Sequence, residues 1–162
     1  NVNDYKAWAL ECDGVGRVKV YPLWNGNGTV KVLIIGNDNL PCSEETVNTV
    51  ISYIEEKRPI GATVTVDTPQ LLKLTFDIKI KLDSAYSLED TKEQITTVLS
   101  DYVNNLEDED IIYYKALSVV GDLGAVDDIV AYTINNKQEN IPVGDYYIPV
   151  IDTITISVSE VV

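Results

Sequence analysis

Leu72, Leu74, Phe76, Ile78, Ile80 and Leu82 alternate without a break with Lys73, Thr75, Asp77, Lys79 and Lys81. Side chains on a strand point to opposite faces in turn, so this stretch predicts a strand with one buried and one wet face. Other segments follow a helical period. In PCSEETVNTVISYIEEKRPIG, Val47, Val50, Ile51 and Ile54 form one apolar stripe. Ser43 is a good N-cap there. Glu44 and Glu45 lie in the first turn and Lys57 and Arg58 in the last, each favourable to the helix dipole. Pro59 and Gly61 end the helix. SLEDTKEQITTVLSDYVNNL carries a second stripe, from Ile95, Val98, Leu99, Tyr102, Val103 and Leu106, with Ser87 as cap. In the opening NVNDYKAWALEC, Tyr5, Trp8, Ala9 and Cys12 share a face, and Asn3 or Asp4 is the expected cap. A further helix is expected over 111–120, capped by Asp110 and stopped by Gly121.

Strands are expected at 17–21, 29–35, 62–67, 71–82, 129–134 and 151–158. Between the first two, LWNGNG offers two Asn-Gly pairs, a strong hairpin signal. Trp24 then sits at the neck of the hairpin loop. The order is α-β-β-α-β, a joint at 67–70, then β-α-α-β-β. This is an α+β protein of two small modules, 1–68 and 69–162, each a mixed or antiparallel sheet with helices on one face.

Composition narrows the partners. The net charge is −14, with 26 acidic residues against 12 basic ones. A nucleic-acid binder needs Lys and Arg to neutralise phosphates, so neither nucleic acid nor an anionic membrane surface is an expected partner. The acidity reads as solubility or as a complement to a basic partner surface. The chain begins at Asn1 and has no methionine, so it reads as a fragment of a longer protein. Cys12 and Cys42 are spaced neither as a disulfide framework nor as a metal site, and read as two reduced thiols.

Chemistry is scarce. Without histidine there is no Ser-His-Asp or Cys-His arrangement, and no Ser-x-x-Lys motif replaces it. The run Glu107–Asp110 lacks the spacing of a calcium loop and reads as a solvated turn before a helix. DGVGR at 13–17 runs from helix to strand, the reverse of a phosphate-binding turn. No catalytic, cofactor-binding or metal residue is therefore assigned. Ten tyrosines and two tryptophans remain. Trp8 belongs to an apolar helix face. Trp24, with Asn25, Tyr21, Tyr146 and Tyr147, forms the candidate interface set, because loop-tip aromatics are frequent anchors.

DYKAWALECDGVGRVKVYPLWNGNGTVKVLII and EEKRPIGATVTV resemble the baseplate J-like family, wedge components of contractile phage tails and phage-tail-like particles. GAVDDIVAYTINNKQENIPVGDYYIPVIDTITISV is similar to that family's C-terminal pattern, with Ala125 interrupting the usual Gly-Val pair. The likeness covers the C-terminal part of the family. It implies a structural role in a virion or tail-like particle assembled in the bacterial cytoplasm. There the family's members form a six-fold baseplate, contact other wedge and tail proteins, and help couple host contact to sheath contraction. It also implies no enzymatic activity and no cofactor. Two other readings stay open: a carboxylate-based cell-wall hydrolase, whose two carboxyl groups would share a cleft about 5–10 Å apart, and a glycan- or receptor-binding module.

Overall fold

The computed structural model describes residues 1–162. Its contacts gather into two units, Asn1–Leu71 with Tyr146–Ile148, and Leu72–Asp145 with Pro149–Val162. The element order is the expected α-β-β-α-β followed by β-α-α-β-β.

The first unit holds α1 (Val2–Leu10), β1 (Arg17–Pro22), β2 (Thr29–Ile35), α2 (Glu44–Lys57) and β3 (Thr63–Asp67). The sheet order is β1-β2-β3. β1 and β2 pair antiparallel, β2 and β3 parallel. A parallel pair needs a crossover, and α2 provides it. Val32 and Ile34 of β2 pack with Tyr5 and Ala9 of α1 and Val50 and Ile54 of α2. Leu33 and Ile35, on the opposite face of β2, are buried as well. This explains why 29–35 is apolar throughout rather than alternating. The Tyr53 hydroxyl of α2 donates to the Glu11 carboxylate at the end of α1.

The second unit is built from β4 (Gln70–Leu82) from Leu72 onward, α3 (Leu88–Asn104), α4 (Tyr113–Gly121), β5 (Val126–Ile134) and β6 (Tyr147–Val161) from Pro149 onward. The sheet order is β5-β4-β6. β4 and β5 are antiparallel. Ser159 Oγ donates to Ile80 O and Val162 N to Leu82 O, so β6 advances alongside β4 in parallel. The alternation of β4 is realised as read: Leu74, Phe76, Ile78, Ile80 and Leu82 join Ile95, Leu99 and Val103 of α3 and Ala116 and Val120 of α4 in one core. Tyr113 and Tyr132 bind each other reciprocally within it. The Tyr113 hydroxyl donates to Tyr132 O at 2.6 Å, and the Tyr132 hydroxyl to Tyr113 O at 3.3 Å.

Three local expectations are corrected. α1 is capped by Asn1, whose Oδ1 accepts from Asn3 N and Asp4 N, while Asp4 reaches back to complete a capping box. The helix starts at Val2, so Asn3 and Asp4 are already inside it. α4 begins at Tyr113 and is not capped by Asp110. Ile111 is bridged to Ile141, which holds that stretch extended, and Asp110 Oδ1 instead accepts from Val143 N at 2.9 Å. The first free N–H of α4, on Tyr113, is taken at 2.9 Å by Asn140 Oδ1, a residue remote in sequence. Finally, β6 starts at Tyr147 rather than 151. Pro149 within it is tolerated because β6 is an edge strand.

Burial pushes the Tyr132 phenol well above its ordinary range, and burial raises Tyr113 as well. A phenol harder to ionise when folded contributes stability that is intact below its unfolded pKa of about 10 and is lost as pH rises toward the folded value. The second unit should therefore lose stability progressively above about pH 10. Circular dichroism against pH should show that loss coinciding with tyrosinate absorbance, and Tyr132→Phe should flatten it. Asn140→Ala should cost about 1 kcal/mol in urea unfolding by uncapping α4.

Candidate interface around the β1–β2 hairpin

β1 and β2 are joined by residues 23–28. Leu23 N donates to Thr29 O at 2.7 Å, Asn25 N to Thr29 Oγ1 at 3.0 Å, and Thr29 Oγ1 to Gly26 O at 2.7 Å. Gly26 and Gly28 take φ of 96° and 73°. The two Asn-Gly pairs thus supply turn glycines, but within a six-residue loop rather than a two-residue primed turn. Leu23 also has positive φ, at 59°. For a residue with a Cβ this costs about 1–2 kcal/mol. Its side chain is exposed.

Behind the loop lies Lys31, in the middle of β2 and only 9% exposed. In the strand register it faces Tyr21 of β1 and Thr65 of β3, on the side of the sheet away from α1 and α2. Its Nζ lies 4.1 Å from the centre of the Tyr146 ring, 4.7 Å from that of Trp24, and 3.6 Å from Asp67 Oδ2. Tyr21 meets Tyr146 edge to face at 5.1 Å. A lysine so enclosed loses most of its water, and the two ring faces and one carboxylate stand in for it.

Of the five residues in the candidate set, Trp24, Tyr21 and Tyr146 are brought together around Lys31. Trp24 folds back over its own hairpin yet keeps 38% of its surface open. Asn25 is exposed at the tip, its side chain unbonded. Tyr147 is exposed and makes no ring contact. The sequence reading missed Lys31 and Asp67. The signal was present: one lysine inside the apolar run TVKVLII of a central strand.

Little elsewhere suggests bond-making chemistry. The Glu109 carboxylate is held low by the backbone N–H of Glu107, the opposite of what a general acid needs. Burial raises both the Cys12 and Cys42 thiols, which disfavours the nucleophilic thiolate. No group of three or more His, Cys, Asp or Glu residues could hold a metal ion. No helix is long and apolar enough to cross a membrane.

Residues 1–68 match the family described as Baseplate J-like central domain, and residues 74–157 that described as Baseplate J-like protein C-terminal domain. The chain is 31% identical over 158 residues to the phage-like element PBSX protein XkdT of Bacillus subtilis (strain 168), covering 92% of this chain and 45% of that protein. It is also 31% identical over 165 residues to an uncharacterized protein, YqbT, of the same strain, covering 96% of this chain and 47% of that one. The chain thus spans about half the length of these relatives. Among solved structures, a chain of the anti-feeding prophage (AFP) baseplate, determined by cryo-electron microscopy with 6-fold symmetrisation, shares the fold. Its TM-score is 0.71 at 12% identity, over 94% of this chain and 37% of that one.

Trp24→Ala should destabilise the first unit by about 1–2 kcal/mol, through the lost ring face over Lys31 and lost apolar contact. Asn25→Ala should stay within about 0.5 kcal/mol of wild type. Urea unfolding followed by circular dichroism compares the two.

Proposed function

This chain belongs to the baseplate J-like family, and from that premise we propose that it is a structural part of a contractile phage-tail or prophage-like tail baseplate. In this reading it works as a wedge module. It links neighbouring baseplate subunits to the tube and sheath within a six-fold assembly, and it makes and breaks no bonds. Its place is the virion or tail-like particle, with other wedge and tail proteins as partners.

The observation that carries the reading is the match of the two halves, in order, to the family's central and C-terminal domains. The structural names of the relatives support it: a phage-like element protein and a prophage baseplate. The hairpin supplies a physical means of docking. Leu23 and Trp24 of the loop are 63% and 38% exposed, and Trp24 is braced from behind by Lys31. A braced aromatic loses little side-chain entropy on docking, which favours it as an anchor.

The test uses an exposed position whose loss spares the fold. Leu23→Asn removes an apolar tip residue and suits positive φ better, so the chain should be as stable as wild type or up to about 1 kcal/mol more so. In the parent particle, Leu23→Asn should lower the yield of complete sheathed particles in electron micrographs by about an order of magnitude, as expected when an anchor worth about 1.4 kcal/mol is lost. Particles at wild-type yield would overturn docking through this hairpin. Release of peptidoglycan fragments by the purified chain, abolished by a single Asp or Glu substitution, would replace the structural reading with a hydrolase. Specific glycan binding lost with Trp24→Ala would replace it with a receptor-binding role.

A further inference from the structure

α3 does more than cover the sheet of the second unit. Its buried face is Thr91, Ile95, Leu99 and Val103. A second stripe, at Asp90, Glu93, Gln94, Thr97, Val98, Asp101, Tyr102 and Asn105, lines two adjoining hollows that share Val98. Their volumes are about 440 and 420 Å³. Val119, at the end of α4, lines the first, with Leu106 from the turn after α3; Leu123, just beyond α4, lines the second. The floor is therefore apolar, from Val98, Leu106, Val119 and Leu123, all left half-buried. Its rim is acidic, from Asp90, Glu93 and Asp101. The stripe repeats at three or four residues, the helical period, from Asp90 to Asn105. At 1.5 Å per residue that makes a trough about 22 Å long.

We infer that this trough receives a basic amphipathic helix of about four turns from a partner protein. Length, shape and charge each point to that occupant. Adjoining hollows that follow one helix, with Val119 of α4 and Leu123 just beyond it on their far side, fit a second helix laid along α3, whose apolar positions at i, i+3, i+4 and i+7 would meet the floor. The rim selects the flanking residues. Between Leu88 and Gly124 the only basic side chains are Lys92 and Lys115, while the acidic ones number nine: Glu89, Asp90, Glu93, Asp101, the run Glu107–Asp110 and Asp122. Lysines or arginines beside the apolar stripe of the incoming helix answer that excess. A second copy of this chain is a poor occupant. Its helices α1 to α3 each begin with acids and none ends with more than one basic residue, and the whole chain carries −14. The site is separate from the hairpin, and the inference goes beyond the baseplate reading without depending on docking through Trp24.

The test uses the purified chain and a synthetic 18-residue helical peptide with leucines on one face and lysines flanking them. A scrambled peptide of equal composition, without the apolar face, is the control. Amide shift changes should be confined to α3, Leu106, Val119 and Leu123. The scrambled peptide should bind at least about tenfold more weakly. Val98→Lys should weaken the ordered peptide by about tenfold or more, and so should Leu123→Gln, a second variant in case the first unfolds. Glu93→Gln combined with Asp101→Asn should reduce both affinity and its salt dependence. Equal binding of the two peptides, shifts centred elsewhere, or unchanged affinity in both floor variants would overturn the inference. Self-association that moves the same amides without peptide would assign the trough to a second copy instead. Because these measurements need no particle, their failure leaves the assembly test of the hairpin untouched.

Discussion

A charged side chain enclosed in the central strand of a sheet sets a demand that the first unit is arranged to meet. Lys31 stands on β2 between half-buried Val30 and buried Val32, and its ammonium group must replace water with something. Tyr146, Trp24 and Asp67 do so, from residues 146–148, from the hairpin loop and from β3. Meeting that demand draws three separated pieces of sequence together. The tip of the β1–β2 hairpin thereby becomes a fixed feature rather than a loose loop. The strained backbone at Leu23 fits this picture, since an unfavourable φ persists only where the surroundings over-determine it.

The two units solve the covering of a sheet differently, and the sequence reflects it. β4 is buried on one face and wet on the other, so it alternates over nearly its whole length. β2 is covered on both faces, so it does not. The serine caps at Ser43 and Ser87 were readable, while the local cap of α1 was placed two or three residues late. The cap of α4 was not readable. Asn140 reaches Tyr113 N across 27 residues, and nothing near Asp110 announces that. The start of β6 was hidden for a related reason: Pro149 reads as a break, and only an edge position in the sheet lets the strand run through it.

The candidate site was half legible. Trp24, Tyr21 and Tyr146 stood out as aromatics near turns, and the structure gathers them. Lys31, which holds them together, was not singled out, because a cation's role depends on which rings close over it from distant segments. Tyr147 differs from Tyr146 by one step along a strand, and the alternation of strand side chains separates their roles. The family resemblance lay in the contiguous motifs around the hairpin and the last strand, so it could be read without any knowledge of packing. The trough on α3 and α4 lay outside those motifs. Half of its lining is polar, and it emerges only once the two helices are placed side by side.

In this account the protein is a braced surface. Burial stiffens each unit, and an enclosed lysine holds the hairpin tip, so the proposed docking would use residues whose positions are already set. The coupling between Lys31 and Trp24 is the quantity on which that bracing rests. A double-mutant cycle of Trp24→Ala and Lys31→Met, followed by urea unfolding of the first unit, measures it. An interaction energy of about 1 kcal/mol is expected for a cation held over an indole in a partly dehydrated site. A value within about 0.3 kcal/mol of zero would mean that the two side chains merely lie near each other, and that the tip is not held by the strand behind it.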